Sequence, residues 1–372
     1  MAIVLVAWLG LAFTILAWHL IWTVRGIRRA RGSARLRAAG DAVAWVLAAA
    51  RNEEATLDAF FDALEAQDWP REQLRLILVN DASTDRTEAV ARRRLASFAG
   101  SRLVLGPGEG HIKALAEGLK AVEGPVVLYT DADCRPAPGW IRGHLEAHAA
   151  GATVVCGHIA VEATGLAGQL QRFESAVASL QVAAGCGRQA PPFCRSANWS
   201  VRRSLLADVG DYRALADRPS GADIYLMGRL AGHPGARFAF LGAPDTRVTT
   251  RPLRGWAATL QQKRRVYGKF PGLDRRQRWR HALVGVAFAG LLVIPGLAVA
   301  MGAPGLLGAW LAVVGVTGVA GLLLLRLAFA LLHETGRAPW LLPVGLVVWP
   351  VGALLFGLLG TLRGYRWDPR LP

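Results

Sequence analysis

Long stretches without charge divide this chain before any motif is considered. Ala2–Trp22 has no acidic or basic side chain apart from His19, and His281–Met301, Pro304–Leu325 and Pro339–Leu362 are equally bare, His281 aside. Each is long enough to cross the roughly 30 Å of bilayer hydrocarbon as an α-helix. One such run is compatible with a buried core helix. Four of them in 372 residues, 53% hydrophobic overall, point to transmembrane helices at both ends of the chain. Pro343 and Pro350 interrupt the last run and favour a re-entrant hairpin there.

The charge follows the same division. Arg25, Arg28, Arg29, Arg31, Arg35 and Arg37 come directly after the first run. That run lacks a basic leader and a small-residue cleavage site, so it reads as an uncleaved anchor whose C-terminal end faces the cytoplasm. Residues 263–280 carry eight cations against Asp274, a local balance of +7. Most of the formal net charge of +16 thus lies beside membrane segments. This placement suits anionic headgroups of a cytoplasmic leaflet and argues against a nucleic-acid partner. Across residues 252–280, Trp256, Tyr267 and Trp279 mixed with many cations suit the interfacial depth.

Between the apolar ends the periodicity changes to that of an α/β domain. Val43–Ala49, Leu74–Val79, Arg102–Leu105 and Val126–Thr130 read as buried strands. They alternate with helical patterns through Leu57–Leu64, around Ala89–Leu95 and over His111–Val122. Such alternation predicts a parallel sheet, in which ligands bind at the carboxyl ends of the strands. Polar clusters at Arg51–Glu54, Asn80–Asp85 and Asp131–Asp133 fall at those ends. The glycine-rich Gly106–Gly110 has no dinucleotide fingerprint, and Pro107 within it suggests a turn. Cys134, Cys156, Cys186 and Cys194 form no C-x-x-C pair and are expected to be reduced, and Cys134, beside the Asp pair, reads as a small semi-buried residue.

The strongest chemical signal is V-V-L-Y-T-D-A-D-C-R-P-A-P at 126–138. Residues i and i+2 of an extended or turning backbone point the same way, so Asp131 and Asp133 present two carboxylates at the mouth of a buried strand. Such a pair is a candidate seat for a hard divalent cation carrying a diphosphate.

Read together, the motifs resemble those of membrane-bound family 2 glycosyltransferases. A-A-A-R-N-E-E (48–54), Q-D-W-P (67–70) and L-I-L-V-N-D-A-S-T-D-R-T (76–87) are similar to the nucleotide-binding half of that family. D-A-D (131–133) resembles its D-x-D metal motif. Ala197-Asn198, V-R-R (201–203) and V-G (209–210) resemble the segment before its catalytic acid, S-G-A-D-I-Y-L (220–226) its acidic motif, and Q-Q-K-R-R-V (261–266) its Q-x-x-R-W motif. The resemblance implies a GT-A fold and inverting transfer of a sugar from a nucleotide donor. It implies that Glu53 and Asp81 contact the nucleoside and that Lys113 lies near the nucleotide. Asp133 would coordinate Mg²⁺ or Mn²⁺, with Asp131 sharing or supporting it. Asp223 would be the general base, and Gln262 and Arg265 would lie near the diphosphate and acceptor. Two positions depart from the family pattern. Ala222 stands where an acid is usual, and Val266 replaces the usual Trp. Tyr267 or Trp256 is available as a substitute aromatic.

The expected layout is an anchor at 1–23, a basic linker at 24–42, a cytoplasmic GT-A domain at 43–250, a basic interfacial segment at 251–280, transmembrane or re-entrant helices at 281–362 and a tail at 363–372. The expected protein is an integral membrane enzyme of a bacterial inner membrane. Its donor would be a nucleotide-sugar, a UDP-sugar in the first instance, and its acceptor a lipid or lipid-linked molecule. The alternatives are a processive polysaccharide synthase and a non-catalytic membrane protein that binds nucleotide-sugar.

Overall fold

The computed structural model describes residues 2–33, 42–162, 165–215, 218, 221–253, 255, 258–259, 261–262 and 275–333. The chain forms two compact units. One contains the described residues of 26–253, and the other contains those of 2–25 and those from 255 to 333.

The first unit is built on strands β1 (Ala44–Ala50), β2 (Leu74–Asn80), β3 (Arg102–Leu105) and β4 (Val126–Tyr129), all parallel as the alternation predicts. Between them lie α2 (Leu57–Glu65), α3 (Thr87–Leu95) and α4 (His111–Lys120), α1 being the N-terminal helix Ala2–Ser33. Helix α2 shows why local pattern succeeds here. Leu57, Phe60, Phe61 and Leu64 form one apolar stripe at helical spacing, and all four are buried. Phe61 packs against Phe98, with ring centroids 5.8 Å apart.

The second half of the sheet departs from the parallel expectation. After α5 (Trp140–Ala149), β6 (Val154–Gly157), β7 (Ile159–Val161) and α6 (Gly165–Cys186), strand β8 (Trp199–Arg202) inserts between β4 and β6 and runs antiparallel to both. Helices α7 (Arg203–Asp208) and α8 (Ala222–Ala231) and strands β9 (Phe238–Leu241) and β10 (Val248–Thr250) come next. The result is a mixed seven-stranded sheet of order β3-β2-β1-β4-β8-β6-β9. A small second sheet, β5-β10-β7, includes the two-residue strand β5 (Arg135–Pro136) just beyond the D-A-D motif.

Strand β8 is held by stacking and by a buried polar network. The Tyr129 and Trp199 rings stack with centroids 4.6 Å apart. Trp140 Nε1–H donates to Asn198 Oδ1 at 3.0 Å, and Asn198 Nδ2–H donates to the His158 carbonyl at 2.7 Å. His144 bridges Asn198 Oδ1 at 2.9 Å and Ser200 Oγ at 2.7 Å, while His148 lies 2.8 Å from the same hydroxyl. Burial lowers the His144 pKa to about 3 and that of His148 to about 4. Removing any one of these groups would strand a buried polar partner, at a cost of about 1–3 kcal/mol. The C-terminal turns of α1 approach α6 closely within this unit. A β-carbon on Gly26 would lie 2.2 Å from the Ala184 carbonyl oxygen, so only glycine fits there.

In the second unit, the expected spans His281–Met301 and Pro304–Leu325 appear as the helices Arg275–Ala300 and Pro304–Leu331. They pack with the start of α1 through Leu9, Leu291, Ile294, Ala298 and Leu306. Trp310 Nε1–H donates to the Leu291 carbonyl at 2.6 Å. The outward faces remain apolar, with Val293, Val299, Leu311, Val319 and Leu323 all more than half exposed. Among the described residues, Leu5–Ala30 is the one helical stretch long and apolar enough to cross a membrane, and Pro304–Ala320 is a shorter apolar helix. Pro339–Leu362 and the tail lie outside the described residues.

Candidate active site

Strand direction assembles the site. In the parallel register Ala50 lies beside Asn80, Asn80 beside Leu105, and Leu47 beside Tyr129. The residues next in the chain, Arg51, Asp81, Gly106 and Thr130-Asp131, therefore emerge on one edge. Strand β8 runs the other way, pairing Trp199 with Tyr129. Its entry, not its exit, reaches that edge, and it brings the preceding residues Cys194–Asn198 there.

The first two loops are joined by hydrogen bonds. Asn52 Oδ1 accepts from the Thr84 N–H at 2.8 Å, the Glu53 N–H donates to Thr87 Oγ1 at 2.7 Å, and the Arg86 N–H donates to Glu54 Oε2 at 2.8 Å. Asp81 is buried and accepts from the Gly108 N–H at 2.8 Å and the Gly110 N–H at 3.0 Å. Gly108 and Gly110 have φ of +74° and +104°, which a β-carbon would strain. The Gly106–Gly110 turn is thus wrapped around the Asp81 carboxylate, a role for Asp81 that sequence reasoning missed. Arg51 closes the arrangement by donating from Nη1 to the Gly108 carbonyl at 3.2 Å. Lys113, in the first turn of α4, pairs with Glu109 of the same loop.

Glu53 is half-buried, and its hydroxyl partner is Thr56 at 2.5 Å. Burial pushes its pKa up to about 7; the Thr56 bond opposes the rise, while the charges of Asp133 and Asp85 add to it. Asp131, Asp133 and Cys134 each present one ligand atom within 4.8 Å of the others. Cys134 is fully buried rather than semi-buried, and its Sγ–H donates to Asp133 Oδ1 at 3.2 Å. Burial, then the charges of Asp133 and Asp131, hold this thiol well above its ordinary range. The two carboxylates offer an oxygen donor set that would fit a hard divalent cation. His111 Nε2 lies 3.9 Å from Asp131 Oδ1, a neighbour that sequence reasoning missed.

Asp223 sits in the first turn of α8, after Gly221 at φ +101°. A carboxylate there is favoured by the helix N-terminus. The Cys194 N–H donates to the Asp223 carbonyl at 3.1 Å, which ties the entry of β8 to this turn. Arg195 comes directly after it, within electrostatic reach of both Asp223 and Asp131. Sequence reasoning missed it as well. The available signal was that Arg195 is the one charged residue between Gln189 and Val201. The structure thus brings Glu53 near Asp133, and Arg195 near Asp131 and Asp223. Gln262 is helical and half-buried in the second unit, while Arg265, Trp256 and Tyr267 lie outside the described residues.

A mixed sheet with acidic clusters on one edge, and a D-x-D pair closing its fourth strand, defines a GT-A-like nucleotide-sugar transferase fold. Residues 45–210 match the family model Glycosyl transferase family 2. That stretch, less than half of the chain, is similar to the family, and the chain is a glycosyltransferase. Glycosyltransferase AglE of Haloferax volcanii is 21% identical over 232 residues, covering 58% of this chain and 75% of that protein. The mannosyltransferase PcManGT of Pyrobaculum calidifontis, solved in complex with GDP-Man and Mn²⁺, superposes with a TM-score of 0.60 at 19% identity. The match covers 94% of this chain and 99% of that one.

Proposed function

We propose that this glycosyltransferase is membrane-integral and inverting, and that it moves a sugar from a nucleotide-sugar to a lipid or lipid-linked acceptor at the cytoplasmic face. The observation that carries the chemistry is the convergence of Asp131 and Asp133 at the edge where the β8 entry and α8 bring Arg195 and Asp223. The bound GDP-Man and Mn²⁺ of the Pyrobaculum mannosyltransferase support a nucleotide-sugar donor and a divalent cation. The apolar outer faces of the terminal helices support membrane insertion.

Asp131 and Asp133 would hold Mg²⁺ or Mn²⁺, which as a Lewis acid offsets the charge that develops on the departing diphosphate. Glu53 and Asp81 take the nucleoside, Asp81 through the loop that it shapes, and Lys113 lies near the phosphates. Gln262 and Arg265 are assigned to the diphosphate and acceptor end. The acceptor oxygen attacks the anomeric carbon as the bond from that carbon to the diphosphate oxygen breaks. Asp223 accepts the proton that the acceptor hydroxyl loses. The layout proposed with this reading is an anchor at 1–23, a catalytic domain at 43–250, an interfacial segment at 251–280 and membrane or re-entrant helices at 281–362.

The test is to incubate purified protein with radiolabelled UDP- and GDP-sugars and total membrane lipid, then trace the label. Label in an organic-phase lipid carrying one sugar supports the reading. A long polymer would mark a processive synthase, and label confined to the aqueous phase would remove the lipid acceptor.

A further inference from the structure

Arg195 has no role in the assignments above, yet its placement is tightly determined. Its Nη2 donates to Ser175 Oγ on α6 at 2.8 Å. Ser175 is itself buried, and its hydroxyl donates to the Ile159 carbonyl of β7 at 2.7 Å. The guanidinium is therefore anchored to the scaffold through a side chain that has no freedom of its own. On the other side, the adjacent Cys194 N–H donates to the Asp223 carbonyl at 3.1 Å, so the backbone carrying Arg195 is joined to the turn carrying Asp223. Burial lowers the Arg195 pKa to about 10, opposed first by the charge of Asp223 and also by that of Asp131. A half-buried cation within electrostatic reach of Asp223 and Asp131 is attracted to them more strongly than it would be in water.

We propose that Arg195 is a positioning residue for the transfer reaction: braced by Ser175, it holds the Asp223 carboxylate in the orientation that meets the acceptor hydroxyl. This rests on the assignment of Asp223 as the general base. A fixed positive charge near the base limits the misalignment that would otherwise slow proton removal, and a displacement of about 1 Å costs on the order of 10²-fold in rate. Arg195 touches neither sugar nor acceptor in this scheme and acts only through Asp223.

The experiment is a double-mutant cycle on the full-length protein in lipid or detergent. Arg195→Gln should lower kcat by about 10²-fold, with KM for donor and acceptor nearly unchanged, and Arg195→Lys should recover part of the loss. In an Asp223→Asn background the same Arg195→Gln change should cost little more, because the residue it positions is already disabled. A full, additive loss in that background would overturn the positioning role. A raised acceptor KM at unchanged kcat would overturn it too, making Arg195 a binding residue. If Asp223→Asn alone leaves kcat intact, the general-base assignment fails instead, and the two failures are told apart. Melting curves of each variant separate misfolding from lost turnover. If Arg195→Gln unfolds the protein, Ser175→Ala, which removes only the brace, should lower kcat in the same way, and unchanged kcat in that variant would overturn the proposal.

Discussion

The two halves of the sheet supply the site by opposite means. Strands β1, β2 and β4 run parallel and deliver the residues beyond their exits: Glu53, Asp81 and the Asp131/Asp133 pair. Strand β8 runs antiparallel and delivers the residues ahead of its entry: Cys194, Arg195 and Asn198. The parallel half is rich in acids, while the antiparallel half contributes a guanidinium and, through α8, one further carboxylate. The separation suits a reaction with a donor and an acceptor. In the proposed reading one half grips the nucleotide while the other aligns the attacking group.

Substitutions in the two halves should therefore differ in kind. Asp133→Ala should abolish transfer while circular dichroism and the melting temperature stay near wild type, because an exposed carboxylate at a strand end is not core. EDTA should mimic it, with activity restored by Mg²⁺ or Mn²⁺. Full activity in EDTA would remove the cation from the scheme. On the antiparallel side, Asp223→Asn should lower kcat by at least about 10²-fold and spare donor affinity. If donor binding collapsed together with the rate, Asp223 would belong to the donor half and the comparison would break.

Stability sharpens the same contrast. Asp81→Ala strands two backbone N–H groups in the parallel half and should cost about 1–3 kcal/mol in urea denaturation, with a higher donor KM. In the antiparallel half the imidazoles of His144 and His148 are held neutral, at pKa values of about 3 and about 4. Their unfolded values are near 6.5, so below that pH the unfolded chain binds more protons than the folded one. Stability from this pair should be complete above about pH 6.5 and lost as pH falls towards 4, by about 2 kcal/mol per histidine at pH 5. Melting temperatures that stay flat from pH 7.5 to 5 would contradict the neutral assignment. The smallest effect is expected outside both halves. Replacing Arg275, Arg276 and Arg278 with Gln should weaken activity on acceptor in anionic vesicles more than on detergent-dispersed acceptor, with donor binding spared. Equal loss in both settings would assign these arginines to folding or donor chemistry.

Legibility tracked the range of the forces. Strands β1 to β4 and helix α2 could be read to within a residue or two, because the strands are short, mostly apolar runs bounded by polar residues and the apolar residues of α2 repeat at helical spacing. The carboxylate pair was legible for the same reason, since Asp131 and Asp133 share a direction by backbone geometry alone. Strand β8 was not read as a strand. W-S-V-R is short, and Ser200 is buried among histidines that are distant in sequence. The turn at Gly106–Gly110 was visible, but its partner Asp81, more than twenty residues earlier, was not.

By itself the sequence determined where the long uncharged runs and the clustered cations lie, which segments between 43 and 130 are helix or strand, and which acids end the parallel strands. These come from local periodicity and from the cost of burying charge. Only the tertiary structure decided that β8 enters the sheet backwards, that Asp81 holds a glycine loop, that Cys134 is buried beside two carboxylates, and that Arg195 is braced by Ser175 within electrostatic reach of Asp223. Each of these depends on contacts between residues far apart in the chain. Their energies arise only once the sheet order excludes water and brings the partners within hydrogen-bond or electrostatic reach.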